Sequence, residues 1–139
     1  MENKKVFLDA NILLDIIITE RKGNPYAKKL WKHLVLNSID IVVSEDILTN
    51  VFYISKNKKD ALTFFELIQD SWKIVPFGKN VIKRAVELSL NKNLDLEDVL
   101  QCLCAKNNDC KILITNDKKF YACGIEIHST TSFLEKYEN

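Results

Sequence analysis

The chain has 139 residues, of which 47% are hydrophobic, and its formal net charge is +1 at pH 7. This length and composition predict one globular domain over residues 1–139 and exclude a disordered or fibrous chain. A nearly neutral chain has no general attraction for nucleic acid or for an anionic membrane, so such binding would need local basic patches. The candidate patches, each of which is also typical of ordinary solvated surface, are Lys56 with Lys58 and Lys59, and Lys118 with Lys119.

The sequence has no segment that predicts export or membrane insertion. No stretch approaches the roughly 18 apolar residues that a membrane-spanning helix needs. Asp9 interrupts the apolar run after Lys4 and Lys5 before it could form the core of a signal peptide. We therefore expect a cytoplasmic protein with no membrane partner.

The cysteines do not have the spacing of a zinc site. The four are Cys102, Cys104, Cys110 and Cys123. They contain a C-x-C step but no pair of C-x-x-C motifs, and no pair of histidines is nearby. We expect reduced thiols, which are the usual state in the cytoplasm.

Strand and helix patterns alternate along the chain. Short runs rich in aliphatic or β-branched residues, such as KVFL, IDIVV and KILIT, predict strands, and apolar residues at i, i+3 and i+4 predict helices between them. Ser44 and Asp95 stand where helix N-caps are expected. In chain order, the predicted elements are strand 5–8, helix 11–17, helix 25–36, strand 39–43, helix 45–56, helix 61–68, strand 72–77, helix 81–88, a polar break at 91–93, a helix from 96, strand 111–115, strand 126–129 and helix 131–137.

This alternation predicts the α/β class, with a three-layer α/β/α sandwich around a central, mainly parallel sheet. In such sheets ligands bind beyond the carboxyl ends of the strands. Acidic residues recur at these ends. Asp9 follows the first strand, Asp117 follows the KILIT strand, and Asp98 lies at the start of the preceding helix.

If the strands are parallel, Asp9, Asp98 and Asp117 face one crevice. Converging carboxylates repel one another unless a cation lies among them, so the pattern predicts a hard divalent ion, Mg²⁺ or Mn²⁺. The chemistry natural to such a site is attack of a metal-activated water on a phosphodiester. His33 and His128 are too scattered for a histidine-centred mechanism, and no serine nucleophile motif or glycine-rich phosphate loop is present.

Each acidic residue also has a purely structural interpretation. Asp9 is compatible with a helix N-cap, Asp98 and Glu97 with the acidic first turn of a helix, and Asp117 with a turn. Asp15 lies more than one helical turn beyond Asp9, which favours a cap, salt-bridge or surface residue over a metal ligand. Only the joint pattern favours a metal site.

Three stretches of the sequence resemble the PIN domain family, which includes the VapC-like toxins of bacterial toxin-antitoxin pairs. They are VFLDANILLD, DLEDVLQCLCAK and ILITNDKKF. The resemblance covers essentially the whole chain and implies a metal-dependent ribonuclease. It also implies an RNA substrate and, for a toxin, a cognate antitoxin; PIN domains often form homodimers as well.

The resemblance assigns roles to individual residues. Asp9, Asp98 and Asp117 match the acidic metal-binding positions and would be the catalytic residues. Asn11 matches the polar residue that orders the first loop, and Glu97 would support Asp98. Thr115 and Asn116 would lie beside the metal and hydrogen-bond to its ligands or to the substrate.

One position departs from the family pattern. The family commonly has a glutamate on the helix after the second strand, and Asn50 is found there in this chain. The change removes a negative charge worth on the order of a few kcal/mol to a bound cation. Asp46, one turn earlier on the same helical face, is placed to compensate in part. The T-N-x-x-Y form of this stretch resembles one branch of PIN domains.

Two other functions remain open on these residues. Asn50 is compatible with a catalytically weak or inactive PIN-like module that binds RNA or a protein. The D-x-N after the first strand also faintly resembles the D-x-D of haloacid dehalogenase-like phosphatases, although the second carboxylate is missing. The RNA target is not specified by any of these residues, because phosphate-metal chemistry reads the backbone.

Overall fold

The computed structural model describes residue 1 and residues 3–138 of the chain, and within them strands and helices alternate in the expected order. The strands are β1 Lys5–Leu8, β2 Asp40–Ser44, β3 Lys73–Val75, β4 Ile112–Ile114 and β5 Glu126–His128. The helices are α1 Ala10–Ile17, α2 Asn24–Leu36, α3 Glu45–Ile54, α4 Lys58–Ile68, α5 Lys79–Lys92, α6 Leu96–Asn107 and α7 Thr130–Tyr137. None of these helices is both long enough and apolar enough to cross a lipid bilayer.

The strands form one parallel sheet in the order β3-β2-β1-β4-β5. The chain moves outward from β1 through β2 to β3 and then returns to place β4 on the other side of β1. Because crossover connections are right-handed, this reversal puts α1–α4 and α5–α6 on opposite faces of the sheet. The predicted α/β fold with a parallel sheet between helices is confirmed. Its reversal point lies between β1 and β4, where open α/β sheets bind ligands.

The central strands are unbroken apolar runs because they lie in the core. Val6, Phe7 and Leu8 of β1 are fully buried, as are the residues of β4, because helices cover both faces of these strands. The edge strands β3 and β5 are only half-buried. A smaller apolar cluster around Ala85 and Val99 joins α5 to α6.

One local prediction is wrong and two are confirmed, one of them in position only. The predicted polar break at residues 91–93 is helical at its start, because α5 runs through Lys92. The helix ends at Asn93, which adopts the left-handed conformation that asparagine tolerates. Ser44 precedes α3 as expected, but its buried hydroxyl makes no capping bond and has no hydrogen-bond partner in the described residues. Asp95 does cap α6, since its Oδ1 accepts from the Asp98 N–H at 3.0 Å.

The prediction of four reduced thiols is wrong for two of them. Cys102 of α6 and Cys123 of the loop after β4 form a disulfide, with their Cα atoms 6.0 Å apart. Cys104 and Cys110 are free and buried. Sequence spacing could not reveal the pair, because the two cysteines are 21 residues apart and meet only after the chain has passed through β4.

Replacing Cys123 with serine should lower the free energy of unfolding by about 3 kcal/mol, because the crosslink restricts the unfolded chain over the intervening segment. Urea denaturation of the oxidised protein measures this loss. Dithiothreitol should produce a similar loss in the parent protein and none in Cys123→Ser. An unchanged midpoint of the parent protein under reduction would contradict the prediction.

Candidate active site

Asp9 lies at the reversal point of the sheet, directly after β1, where it has an extended backbone and is the N-cap of α1. Its N–H donates to the carbonyl of Ile114 at 3.1 Å, which extends the pairing of β1 with β4. Its Oδ1 accepts from the Ala10 N–H at 2.8 Å. Its Oδ2 accepts from Asn11 Nδ2 at 3.1 Å and from Thr115 Oγ1 at 2.8 Å. A carboxylate has about four acceptor positions, so one position, on Oδ1, has no donor in the described residues.

Burial raises the pKa of Asp9 above its ordinary value. The hydrogen bonds from Thr115 and Ala10 oppose this rise, and the negative charge of Asp117 adds to it. The effect of Asp117 on this pKa indicates that the two carboxylates, which are 108 positions apart in the sequence, repel each other across the β1–β4 junction.

Asp117 is held in a tight turn after β4. Its N–H donates to Thr115 Oγ1 at 3.1 Å, and its Oδ1 accepts from the Lys119 N–H at 2.9 Å. The structural interpretation of Asp117 as a turn residue is therefore correct. This turn is also compatible with a role of Asp117 in the site, because it fixes the exposed Asp117 carboxylate near Asp9 and Asp98.

Asp98 lies in the first turn of α6. Burial, followed by the negative charges of Asp95, Asp117, Asp9 and Glu97, raises the pKa of Asp98 to about 6. Four acidic neighbours on different parts of the chain therefore act on one carboxylate. The negative charges of Asp9 and Asp117 both act on Asp98. That these three carboxylates hold one metal ion stays a prediction.

Asn50 bridges two acidic side chains. Its Nδ2 donates to Asp46 Oδ2 at 3.1 Å within α3 and to Glu97 Oε1 at 3.0 Å on α6. Burial, and then the charges of Asp46, Asp9 and Asp95, raise the pKa of Glu97. Asn50 is thus a neutral donor at a place where a glutamate would add a third negative charge beside Asp46 and Glu97.

No cation neutralises this acidic group. Within the described part of the chain, none of its members forms a salt bridge; the members are Asp9, Asp46, Glu97, Asp98 and Asp117. The same part of the chain contains no group of three or more acidic, histidine or cysteine side chains that is placed to hold a metal ion. Mg²⁺ does not require one, because it keeps several waters and needs only one or two protein carboxylates. Uncompensated oxygen donors therefore fit Mg²⁺ or Mn²⁺.

Asn11 contacts the predicted ligand Asp9, whereas Asn116 makes no hydrogen bond to the three predicted ligands in the described residues. Asn11 reaches both Asp9 and Thr115, so it braces the first loop. The Asn116 side chain is bonded away from the acidic group, since its Nδ2 donates to Asp15 Oδ2 at 3.3 Å and its Oδ1 accepts from the Thr130 N–H at 3.1 Å. Its contacts are with the scaffold and not with the predicted ligands.

Asp15 makes more contacts than its place in the sequence predicts. The expected salt bridge is present, with Arg21 Nε 2.6 Å from Asp15 Oδ1. The other oxygen bonds to Asn116, and the side chain is only 8% exposed. A signal was available in the sequence, because a charged residue inside the aliphatic run ILLDII must be buried with partners.

The basic patches differ in their surroundings. Lys58 is not free for nucleic acid, because its Nζ donates to carbonyls at the end of α3, those of Phe52 and Tyr53, and to that of the C-cap residue Ser55. Lys118 and Lys119 are exposed in the turn that carries Asp117. A cavity of about 700 Å³ lies elsewhere, between the end of α1 and the start of α4, and none of the predicted site residues lines it.

The profile of the PIN domain family matches residues 6–125. The chain is also 38% identical over 141 aligned positions to ribonuclease VapC1 of Aquifex aeolicus, which covers 99% of this chain and 98% of that protein. Members of this family typically depend on a metal ion.

Solved structures share the fold. VapC20 of Mycobacterium tuberculosis, a toxin that cleaves the sarcin-ricin loop, superposes with a TM-score of 0.72 at 12% identity and covers 86% of this chain and 95% of that one. VapBC2 of Rickettsia felis, bound to a DNA fragment from its promoter, gives a TM-score of 0.68 at 17% identity, with 90% and 98% covered. A toxin-antitoxin complex from Klebsiella pneumoniae gives 0.67 at 20% identity, with 90% and 97% covered. By sequence and by fold, this chain belongs to the PIN domain family.

Proposed function

We propose that the protein is a Mg²⁺- or Mn²⁺-dependent endoribonuclease and the toxin of a type II toxin-antitoxin pair. The observation that most supports this proposal is that the charges of Asp9 and Asp117 act on Asp98, and no salt bridge in the described residues neutralises any of the three. The close similarity to a ribonuclease VapC1 over nearly the whole chain supports the substrate class. The haloacid dehalogenase-like alternative has no support, because the chain belongs to the PIN domain family.

Asp9, Asp98 and Asp117 would hold the metal ion. When bound, such an ion supplies a water that is nucleophilic at neutral pH and offsets negative charge on the phosphate. Thr115 and Asn11 donate to Oδ2 of Asp9, which leaves one acceptor position on Oδ1 without a donor in the described residues. The Asp117 turn places Lys118 and Lys119 beside the site, where their charges can attract an RNA backbone.

Asn50 is compatible with an active ribonuclease site. Its amide holds Asp46 and Glu97 near each other and limits their repulsion without neutralising their charge. We infer that the T-N-x-x-Y sequence around Asn50 marks a branch of the family in which this amide replaces the usual glutamate. Asp46 and Glu97 then keep the local charge negative.

The partners and the setting follow from this function. We propose that the protein acts on RNA in the cytoplasm and that, as a toxin, it has a cognate antitoxin. Structural relatives are toxin-antitoxin complexes from Rickettsia felis and Klebsiella pneumoniae, which supports a protein antitoxin for this chain. We also propose that residues 1–139 form a single PIN-like domain that is able to form homodimers.

A catalytically inactive PIN-like module is the second candidate, and the amide at position 50 is the observation that favours it. Titration calorimetry with Mn²⁺ separates the two. Measurable binding at millimolar Mn²⁺ supports the nuclease, and its absence in the folded protein supports the module.

Asp9→Asn, Asp98→Asn and Asp117→Asn should each reduce cleavage of RNA by about 100-fold or more, because each removes one negative oxygen donor. Gel assays of RNA cleavage measure the loss, and growth of cells expressing each variant should recover. Asp40→Asn is the matched control, since Asp40 lies at the opposite end of β2 in a surface pair with Lys73. Full cleavage by all three site variants would overturn the proposal.

The metal-free Asp98→Asn variant should be more stable than the parent protein at pH 7, by about 1 kcal/mol after allowance for solvent screening. Because the pKa of Asp98 is about 6 in the folded state, the folded protein holds a proton that the unfolded chain releases at lower pH. The parent protein therefore loses stability as pH rises from about 4 to about 6.

Urea denaturation with a chelator at pH 4 and pH 7 tests this difference. The gain should vanish near pH 4, and Mn²⁺ should stabilise the parent protein more than the variant. A variant that is less stable at both pH values would contradict the expected repulsion.

Asn50→Ala should lower kcat/KM by about tenfold, because the loss of two hydrogen bonds lets Asp46 and Glu97 move apart. Single-turnover cleavage of an RNA substrate measures the effect. Thr63→Ala, which removes an exposed hydroxyl from α4, is the control. Unchanged cleavage by Asn50→Ala would exclude Asn50 from the site.

A further inference from the structure

A continuous set of polar contacts connects α1 to the turn that carries Asp117. Arg21 Nε donates to Asp15 Oδ1 at 2.6 Å, and Asn116 Nδ2 donates to Asp15 Oδ2 at 3.3 Å. Asn116 and Asp15 are 101 positions apart in the sequence. The contacts therefore join two distant segments through one carboxylate, with a donor on each oxygen.

The surroundings of Asp15 hold its carboxylate in one place. The side chain is 8% exposed, and Arg21 supplies the positive charge that a buried carboxylate needs. Asn24 Nδ2 donates to the carbonyl of Asp15 at 2.8 Å and fixes the end of α1. A Cβ on Gly23 would lie 2.2 Å from Asp15 Oδ2, so no side chain fits at that position without moving the carboxylate.

Asn116 transmits this position to the turn. Besides its bond to Asp15, its Oδ1 accepts from the Thr130 N–H at the start of α7, and its N–H lies 3.4 Å from Asn11 Oδ1. Asn116 is itself exposed, so packing does not fix its side chain. Hydrogen bonds on both ends of the amide do so instead.

The two residues next to Asn116 in this turn, Thr115 and Asp117, both belong to the candidate site. Thr115 donates to Asp9, and Asp117 is one of the converging carboxylates. A change in the Asn116 backbone would move both residues. Displacements of about 1 Å at such positions are enough to reduce catalysis by about 100-fold.

We propose that Asp15 is a positioning residue, which holds Asn116 and thereby sets the placement of Thr115 and Asp117. This inference rests on the proposed ribonuclease function for its catalytic consequence. Its structural part, the ordering of the turn at residues 115–117, does not depend on that function. Asp15 itself makes no contact with Asp9, Asp98 or Asp117 among its hydrogen bonds in the described residues.

The test compares Asp15→Asn, Asn116→Asp and the double variant with both changes. Asp15→Asn leaves one acceptor oxygen for two donors, Arg21 and Asn116, so the amide nitrogen must oppose one of them. Asn116→Asp opposes two carboxylates and loses the bond. In the double variant, an amide at position 15 donates to a carboxylate at position 116, and the total charge is unchanged. Asp40→Asn is again the control, because it alters an aspartate in a salt bridge far from the carboxyl ends of the strands.

Three measurements are made on each protein. Hydrogen exchange of the metal-free protein, followed by mass spectrometry, reports the order of the 115–117 turn. Calorimetry reports Mn²⁺ affinity. Cleavage kinetics report kcat and KM separately, and denaturation corrects each value for the folded fraction.

We expect each single variant to exchange about tenfold faster at the turn, to bind Mn²⁺ more weakly, and to lose about tenfold or more in kcat with little change in KM. The double variant should recover most of the exchange protection. Gly23→Ala keeps every polar group, and its backbone φ of −76° suits alanine, so it should reproduce the faster exchange by displacing Asp15.

Folded single variants with the exchange and Mn²⁺ affinity of the parent protein would overturn the proposal. If Asp15→Asn does not fold, Gly23→Ala decides: faster exchange at the turn supports the proposal, and unchanged exchange rejects it. If the parent protein does not cleave RNA, the proposed function fails, and the exchange data still decide the role of Asp15.

Discussion

The parallel pairing of β1 with β4 is the constraint on which the candidate site depends. The Asp9 N–H bonds to the Ile114 carbonyl and carries the ladder one residue beyond β1, which fixes the backbone from which the Asp9 carboxylate projects. The next residue after β4, Thr115, then reaches Asp9 Oδ2 through its hydroxyl. This junction is also where the chain reverses its direction across the sheet. Asp9 is buried there, Asp98 is half-buried and Asp117 is exposed.

The side chains that hold the acidic group are neutral. Thr115, Asn11 and Asn50 orient Asp9, Asp46 and Glu97 through a hydroxyl and two amides. A lysine or arginine in their place would stabilise the metal-free protein, but it would also remove the negative field that attracts a divalent cation. These hydrogen bonds fix the geometry of the carboxylates without removing their charge. The pKa of Asp98 is raised first by burial and then by the repulsion that remains. The stability of the metal-free fold and the affinity for a cation are thus opposed in this site.

The loop between β4 and β5 is tied to the scaffold near each of its ends. At the start, Asn116 bonds to Asp15 of α1 and to the first N–H of α7. Near the end, Cys123 is linked to Cys102 of α6 by a disulfide. Cys102 lies one helical turn after Asp98, so the crosslink joins the two segments that carry Asp98 and Asp117. These two ties explain how an exposed turn residue such as Asp117 keeps a defined position relative to buried Asp9.

The sequence by itself determined the order of strands and helices, the parallel α/β class and the three acidic residues, because these depend on local periodicity and on the rule that parallel strands end at one edge. Local patterning also identified Asp95 as a helix cap. Only the tertiary structure decided which polar side chains support that edge. The Asn50–Glu97 and Asp15–Asn116 bonds join residues 47 and 101 positions apart, and the disulfide joins Cys102 to Cys123. Such contacts depend on how helices pack across the sheet. The spacing of residues along the sequence does not specify that packing. The sequence therefore predicted Asp15 to be a cap, salt-bridge or surface residue and the cysteines to be unpaired.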